Sequence, residues 1–158
     1  MAIDSNRREF IGICAAIAAG SMLAAGVRPQ AACAQDKTKY LVATLGKIKD
    51  LNEKDPQLVK AEFLDDTGKV AEEEKLFVRW VRTGKNSGYW VVVSAICTHL
   101  KCKVDFASDD HIFICPCHGS RFDLSGAVLR KPAKTPLPDY SDMAYEDGSL
   151  LKLKRVVS

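Results

Sequence analysis

The sequence predicts an all-β fold, an antiparallel β sandwich, and three observations support this prediction. Five short apolar runs recur along the chain: KYLVATL, KLFVRWVR, GYWVVVSAI, HIFIC and SLLKLKRVV. Turn-forming clusters such as DDTG, GKNSG, LSG and EDG separate them. Apolar and polar residues alternate within several of the runs, which is typical of half-buried strands. At 158 residues the chain is long enough for one main domain with a core.

The first 27 residues are predicted to be a targeting segment. Arg7 and Arg8, followed by Glu9, precede eighteen uncharged residues, 10–27. This pattern resembles a twin-arginine export signal, in which paired arginines and a Phe precede an apolar stretch. A helix of that length would rise roughly 27 Å, close to the hydrocarbon thickness of a bilayer of about 30 Å. We expect a retained anchor on the periplasmic side of a bacterial cytoplasmic membrane, while the small residues of VRPQAACAQ leave removal of the segment open.

Residues 28–38 are predicted to be a flexible linker. The segment has no hydrophobic period and contains Pro29, Gln30, Gln35 and Asp36. The main domain is therefore expected to occupy residues 39–158.

The strands of this domain follow from the alternation of apolar residues. Leu76, Val78 and Trp80 would share one face of a strand, and Leu151 and Leu153 alternate with lysines near the end of the chain. The stretch DLNEKDPQLVKAEF is compatible with a short helical turn, although Pro56 and its low apolar content disfavour one.

The charge distribution argues against nucleic-acid binding. The chain has 23 basic and 20 acidic residues, a formal net charge of +3. They are scattered, with no run of five or six like charges. We therefore expect no nucleic-acid partner.

Two short stretches, CTHLKC at 97–102 and CPCHGS at 115–120, carry the predicted chemistry. They hold four of the six Cys and two of the three His of the chain. Thiolates and imidazoles are ligands of soft and borderline metals. A Cys2His2 zinc site would leave two Cys unexplained, and two structural disulfides would leave both His unexplained. A [2Fe-2S] cluster with two Cys and two His ligands, beside one disulfide, uses all six residues.

The two stretches resemble the cluster-binding loops of the Rieske iron-sulfur proteins, whose quinol-oxidising members share C-T-H-L-x-C and C-P-C-H-G-S. The resemblance implies a Rieske-type sandwich with these loops at one end and one [2Fe-2S] cluster per chain. It also implies the site residues, with Cys97 and Cys115 on one iron, His99 and His118 on the other, and a disulfide joining Cys102 to Cys117.

Neutral imidazoles in place of two thiolates explain the chemistry that this family carries out. They leave the cluster less negative, so adding an electron is less opposed than in all-Cys clusters. Reduction also raises the proton affinity of the ring nitrogens that do not bind iron. This coupling suits quinol oxidation, in which His118 or His99 would hydrogen-bond the quinol.

Further residues match positions around the cluster in the family. Ser120 would donate a hydrogen bond to a cluster sulfide, Leu100 would cover the cluster, and Pro132 would belong to a third, Pro-rich shielding loop. Phe122 stands where a Tyr often donates to a ligand sulfur, which predicts a lower potential and favours menaquinol as donor. Lys101 replaces a common Gly.

The resemblance implies an electron-transfer subunit of a cytochrome bc-type quinol:cytochrome c oxidoreductase. Its expected partners are a cytochrome b-type subunit, a cytochrome c-type acceptor, quinol, and the membrane through the N-terminal segment. The alternative is the small Rieske subunit of a periplasmic molybdenum oxidase resembling arsenite oxidase. A Rieske oxygenase subunit is excluded, because only His111 remains for a mononuclear iron.

Overall fold

A computed structural model of the chain describes residues 39–51, 55–85 and 87–157. The predicted signal or anchor (1–27) and linker (28–38) lie outside the described residues. Within the described part, no helix is long and apolar enough to span a bilayer.

The described residues confirm the all-β prediction, with ten strands and two short 3-10 helices. The helices are Ile48–Asp50 and Ser141–Met143. The strands, in chain order, are β1 Lys39–Lys47, β2 Gln57–Leu64, β3 Val70–Arg82, β4 Gly88–Ser94, β5 Asp105–Ala107, β6 Ile112–Ile114, β7 Arg121–Phe122, β8 Val128–Arg130, β9 Ala144–Asp147 and β10 Leu150–Val157.

Six of the strands form one antiparallel sheet in the order β4-β3-β2-β1-β10-β9. Between β1 and β2 the register contains a single pair, Val42 with Leu64, so the sheet divides there into two halves. The inner residues of both halves enclose the first core, which includes Leu41, Ala43, Phe63, Leu76, Val78, Val92, Leu151 and Leu153. The domain is therefore a sandwich made by one divided sheet.

Strands β3 and β4 form a central layer that is apolar on both faces. Alternate residues turn towards the first core, among them Leu76, Val78 and Val92. The residues between them, Phe77, Val91 and Val93, face a second core. This double burial explains why KLFVRWVR and GYWVVVSAI contain runs of consecutive apolar residues instead of strict alternation.

The second core lies beneath a small antiparallel sheet in the order β5-β6-β7-β8. Its inner face carries Phe106, Phe113, Phe122 and Val128, which are paired across neighbouring strands. Since its strands are antiparallel, the connections alternate between its two ends. Residues 97–102, 115–120 and 131–137 lie at one end, and the turns 108–111 and 123–127 lie at the other.

The apolar runs in the sequence predicted β1, β3, β4, β10 and the short strand β6, but missed β2, β5, β7, β8 and β9. In β2 the buried residues are Ala61 and Phe63, while Leu58 is 44% exposed. Strand β2 pairs along its length with β3, so tertiary pairing and not apolar content establishes it. The doubtful helical turn, in residues 50–63, shares only Asp50 with the 3-10 helix Ile48–Asp50, and residues 57–63 of that stretch belong to β2.

Candidate metal centre

The first of the two Cys/His stretches, residues 97–102, forms a loop closed by its own backbone. The Cys97 N–H donates to the Cys102 carbonyl at 2.8 Å. The Lys101 N–H donates back to the Cys97 carbonyl at 3.0 Å. We call this segment loop 1.

Loop 2, residues 115–120, repeats the same closure. The Cys115 N–H donates to the Ser120 carbonyl at 2.8 Å, and the Gly119 N–H donates to the Cys115 carbonyl at 2.9 Å. In both loops the fifth residue has a left-handed backbone, with φ of 61° at Lys101 and 73° at Gly119. The two motifs are therefore structural equivalents, and a lysine occupies a conformation that favours glycine.

The first Cys of each loop is buried and has a free thiol. Cys97 is 0% exposed and Cys115 is 1% exposed. Cys102 and Cys117, one from each loop, form a disulfide with an S–S distance of 2.07 Å. The Sγ atom of Cys115 and both disulfide sulfurs lie within 4.8 Å of one another. The disulfide thus links the two loops directly beside a buried thiol.

The surroundings of Cys115 disfavour an isolated thiolate. Burial is the largest effect and raises the pKa of the Cys115 thiol, and the nearby Cys97 thiol raises it further. The backbone N–H groups of Cys117 and His118 act in the opposite direction by hydrogen bonding to the sulfur. Two neighbouring buried thiolates would need a bound cation to balance their charge.

The two imidazoles meet at the same end of the small sheet. The ring centroids of His99 and His118 are 4.9 Å apart, with the ring planes at 90°. The Nδ1 atom of His99 is buried and has no hydrogen-bond partner in the described structure. A buried polar atom without a partner is unfavourable unless a ligand satisfies it. His118, by contrast, is exposed.

This donor set fits a cluster with mixed ligands. The two loops supply two free buried thiols and two adjacent imidazoles, while the other two Cys of the motifs are joined in a disulfide. The unpartnered Nδ1 of His99 is the observation that points to a missing ligand.

A third segment, residues 131–137, is tied to both loops through hydroxyl groups. Thr98 of loop 1 donates its hydroxyl to the Thr135 carbonyl at 2.7 Å. Buried Ser120 of loop 2 accepts a hydrogen bond from the Ala133 N–H at 3.0 Å. Because the Ser120 oxygen is the acceptor there, its proton stays available for donation to another group. Pro132, next to Ala133, is half-buried in this segment.

The remaining predicted residues divide between surface and core. Leu100 is 62% exposed, so it is not an ordinary core leucine. Phe122 is fully buried and pairs across the strands with Phe113. His111 lies in the β5–β6 turn at the other end of the small sheet, with its Nδ1 4.0 Å from an Asp55 carboxylate oxygen. The structure therefore does not bring His111 to the site.

A polar network at the base of this region was not predicted from the sequence. The Tyr140 hydroxyl donates to the Glu74 carboxylate, with distances of 3.1 and 3.2 Å to its two oxygens. The Ser94 hydroxyl donates to the same carboxylate at 2.8 Å. Ser94 is where the chain leaves β4 towards loop 1, and Tyr140 is where it returns. No local pattern in the sequence signals this contact between residues 66 positions apart.

Comparison with known proteins gives a consistent result. A family model described as the Rieske [2Fe-2S] domain matches residues 42–141. The cytochrome b6-f complex iron-sulfur subunit of Chlorobaculum thiosulfatiphilum is 34% identical over 116 residues, covering 72% of this chain and 60% of the relative. The corresponding subunit of Chlorobaculum tepidum is 30% identical over 155 residues, covering 94% of this chain and 76% of the relative.

A solved structure is also similar. The cyanobacterial plasma membrane Rieske protein PetC3 from Synechocystis PCC 6803 matches with a TM-score of 0.49 and 29% identity. The match covers 71% of this chain and 97% of that one.

Proposed function

The chain belongs to the family of Rieske [2Fe-2S] domains and has a Rieske [2Fe-2S] cluster as its cofactor, and from this we propose that it is the electron-transfer subunit of a bc-type quinol:cytochrome c oxidoreductase. The observation that carries the proposal is that two loops joined by a disulfide supply two buried free thiols and two adjacent imidazoles. The relatives named as iron-sulfur subunits of cytochrome b6-f complexes support it.

We propose that Cys97 and Cys115 bind one iron and that His99 and His118 bind the other. When bound, the cluster supplies a one-electron couple whose net charge the two neutral imidazoles make less negative. The unpartnered Nδ1 of His99 supports its role as a ligand. The Ser120 hydroxyl, already fixed by the Ala133 N–H, would donate to a cluster sulfide.

The exposure of His118 supports a direct role in quinol oxidation. An exposed ring at this end of the domain could accept a hydrogen bond from a quinol hydroxyl. The quinol would give one electron and one proton here, and its second electron would pass to a cytochrome b-type subunit. The chain would then deliver its electron to a cytochrome c-type acceptor. Phe122, which lacks a hydroxyl, favours a low-potential menaquinol as donor.

The proposal extends to the segments outside the described residues. Residues 1–27 would direct export by the twin-arginine route and remain as an anchor. Residues 28–38 would let the domain move between the quinol site and its acceptor, on the periplasmic side of the cytoplasmic membrane.

A redox titration of the purified protein at several pH values tests the site and its chemistry. We expect a reversible one-electron step whose midpoint falls as pH rises through the imidazole ionisations. His99→Asn and His118→Asn should abolish the visible chromophore. His111→Asn is the matched control, because Asn tolerates the left-handed φ of 49° at that position. A folded, iron-loaded protein without a reducible chromophore would refute the assignment.

Co-purification from membranes tests the assembly. A cytochrome b-type subunit should accompany the chain. A molybdopterin subunit in its place would refute the bc-type assignment.

A further inference from the structure

The small sheet separates its charges between its two ends. The stretches 95–104, 114–122 and 128–138, which meet at the end carrying loops 1 and 2, contain no Asp or Glu. The acidic residues Asp109, Asp110 and Asp123 all fall in the turns at the opposite end. Asp105, at the start of β5, lies 3.4 Å from the Lys103 ammonium, and Glu73 and Glu74 of β3 line a pocket together with Lys101 and Lys103.

Five cations remain at the end that carries the loops, and we call them the basic rim: Lys101, Arg121, Arg130, Lys131 and Lys134. None of them forms an ion pair within the part of the chain that the structure describes. Their five positive charges exceed the net charge of the whole chain, +3.

Elsewhere in the domain, several exposed cations are paired. Lys60 lies 2.9 Å from Glu62 and 3.0 Å from Glu73. Lys152 lies 2.6 Å from Asp147. Other exposed lysines, such as Lys47 and Lys85, also form no ion pair within the described residues, so the rim is distinguished by how closely its cations are grouped.

The rim also contains an arrangement that opposes folding. Arg121 and Arg130 are directly opposite each other on neighbouring strands β7 and β8, where like charges are destabilising. Exposed apolar side chains accompany the cations, with Leu100 62% exposed and Leu129 57% exposed. Unpaired like charges around exposed apolar groups are characteristic of surfaces that bind an oppositely charged partner briefly.

We propose that the basic rim is the docking surface for an electron acceptor with an acidic surface around its own redox centre. The proposal rests on the proposed function and adds the chemistry of the partner. Opposite charges would accelerate encounter and orient the acceptor towards the exposed His118, while Leu100 and Leu129 would supply a small apolar contact. The contact would be transient and sensitive to salt.

The test uses the full cluster-loaded chain, reduced beforehand, and two soluble c-type cytochromes, one acidic and one basic. Stopped-flow mixing gives the second-order rate constant for electron transfer at a series of ionic strengths. We expect the rate with the acidic cytochrome to fall steeply as salt increases, and the rate with the basic cytochrome to stay constant or rise. Combining Arg130→Glu with Lys134→Glu should slow the acidic cytochrome about tenfold at low salt.

The matched control combines Lys47→Glu with Lys85→Glu, which changes the charge by the same amount. Both lysines are exposed and lie near the Trp80–Trp90 pair, about 14 Å along β4 from Ser94. This control should leave the rates nearly unchanged. Visible spectra and midpoints of both double variants should match those of the parent protein, which verifies an intact cluster. Arg130→Glu would also place an opposite charge beside Arg121, so a loss of folding is not expected.

If the rate constant with the acidic cytochrome changes neither with salt nor with charge reversal, the docking proposal is wrong, although the proposed electron transfer would still stand. Failure of both cytochromes to oxidise the reduced chain would instead refute the proposed function. A second possible partner for the basic rim is a membrane with anionic lipid, and binding to vesicles that contain such lipid tests it. If the rim variant loses vesicle binding while its cytochrome kinetics are unchanged, the surface binds membrane and the proposal is wrong.

Discussion

At the scale of single residues, Lys101 and Gly119 show how the two loops differ. Both occupy the fifth position of a closed six-residue loop, and both have a left-handed backbone. A left-handed conformation is unfavourable for a residue with a Cβ atom by roughly 1–2 kcal/mol. Lys101 therefore introduces strain next to Cys102, together with a positive charge that belongs to the basic rim.

Substitutions at Lys101 test this strain. Lys101→Gly relieves it but increases the entropy of the unfolded chain, so we expect a net change below about 1 kcal/mol. Lys101→Val should destabilise by about 1–3 kcal/mol, because β-branched residues are least tolerant of positive φ. Denaturant unfolding of the loaded protein measures both. Lys103→Val, in the neighbouring isolated β-bridge with Ile96, is the control and should have a smaller effect than Lys101→Val.

Phe122 provides a second test at this scale. It is fully buried beside loop 2, and its ring offers no hydrogen-bond donor. Phe122→Tyr should raise the midpoint potential if the new hydroxyl donates to a ligand sulfur. The rise is about 60 mV for each 1.4 kcal/mol by which that bond favours the reduced state. A potentiometric titration checks it, and an unchanged midpoint would contradict the idea.

At the scale of elements, loop 1 and loop 2 are held in place by contacts from different parts of the chain. The disulfide joins them to each other, and Thr98 and Ser120 join them to the segment 131–137. Below them, Glu74 links Ser94 to Tyr140, where the chain enters and leaves this region. These contacts keep the loops in a fixed position relative to the central layer.

Removing the disulfide should loosen the loops. Cys102 and Cys117 are 15 residues apart, and a disulfide closing a loop of that size stabilises by about 3 kcal/mol. We expect Cys102→Ser combined with Cys117→Ser to lower the free energy of unfolding by roughly that amount and to accelerate bleaching of the cluster. Denaturant unfolding and visible absorbance measure the two effects. Unaltered bleaching kinetics would show that the disulfide does not restrain the loops.

The Tyr140–Glu74 contact gives a prediction about pH. Burial is the largest effect, and with the Glu74 carboxylate it raises the pKa of Tyr140 to about 12 from 10.0. The folded state holds the Tyr140 proton more tightly than the unfolded state does. The stability that this hydroxyl contributes is therefore complete below pH 10 and is lost as pH rises through about 12. Between pH 9 and 12 the free energy of unfolding should therefore decline less for Tyr140→Phe than for the parent protein, as measured by denaturant unfolding. Tyr89→Phe, at an exposed tyrosine, should not reproduce the difference.

At the scale of the whole molecule, three layers place the two loops with the candidate ligands at one end of the domain. The divided six-stranded sheet encloses one core, and the small sheet covers a second core on the outer face of β3 and β4. Both loops and the basic rim lie at the same end of the small sheet because its strands are antiparallel. If the domain can move, the end that carries the loops can contact an electron donor and an electron acceptor in turn.

The linker prediction belongs to this scale. Replacing several residues of 28–38 with proline should stiffen it and reduce quinol:cytochrome c turnover in the membrane-bound complex. The midpoint potential should stay the same, since the cluster site is remote in sequence. An equal number of serine substitutions is the control. Full turnover with the proline linker would refute domain movement through this segment.

The class of fold and the candidate ligands could be predicted from the sequence alone. Cys and His are concentrated in two six-residue motifs, so the candidate ligands could be identified from local spacing. The long strands could be identified because burial on one or both faces leaves a pattern in adjacent residues. Short strands such as β5 and β7 leave too few residues for such a pattern.

The arrangement of the two motifs and of the residues around them could not be predicted from the sequence. Burial of Cys97 and Cys115, exposure of His118 and the unpartnered Nδ1 of His99 depend on residues far away in the chain. The same holds for β2, which its pairing with β3 establishes. The charges are scattered in the sequence, but antiparallel connections bring the cations of the basic rim together at one end. Burial and electrostatic fields depend on distance in space, and chain folding sets that distance.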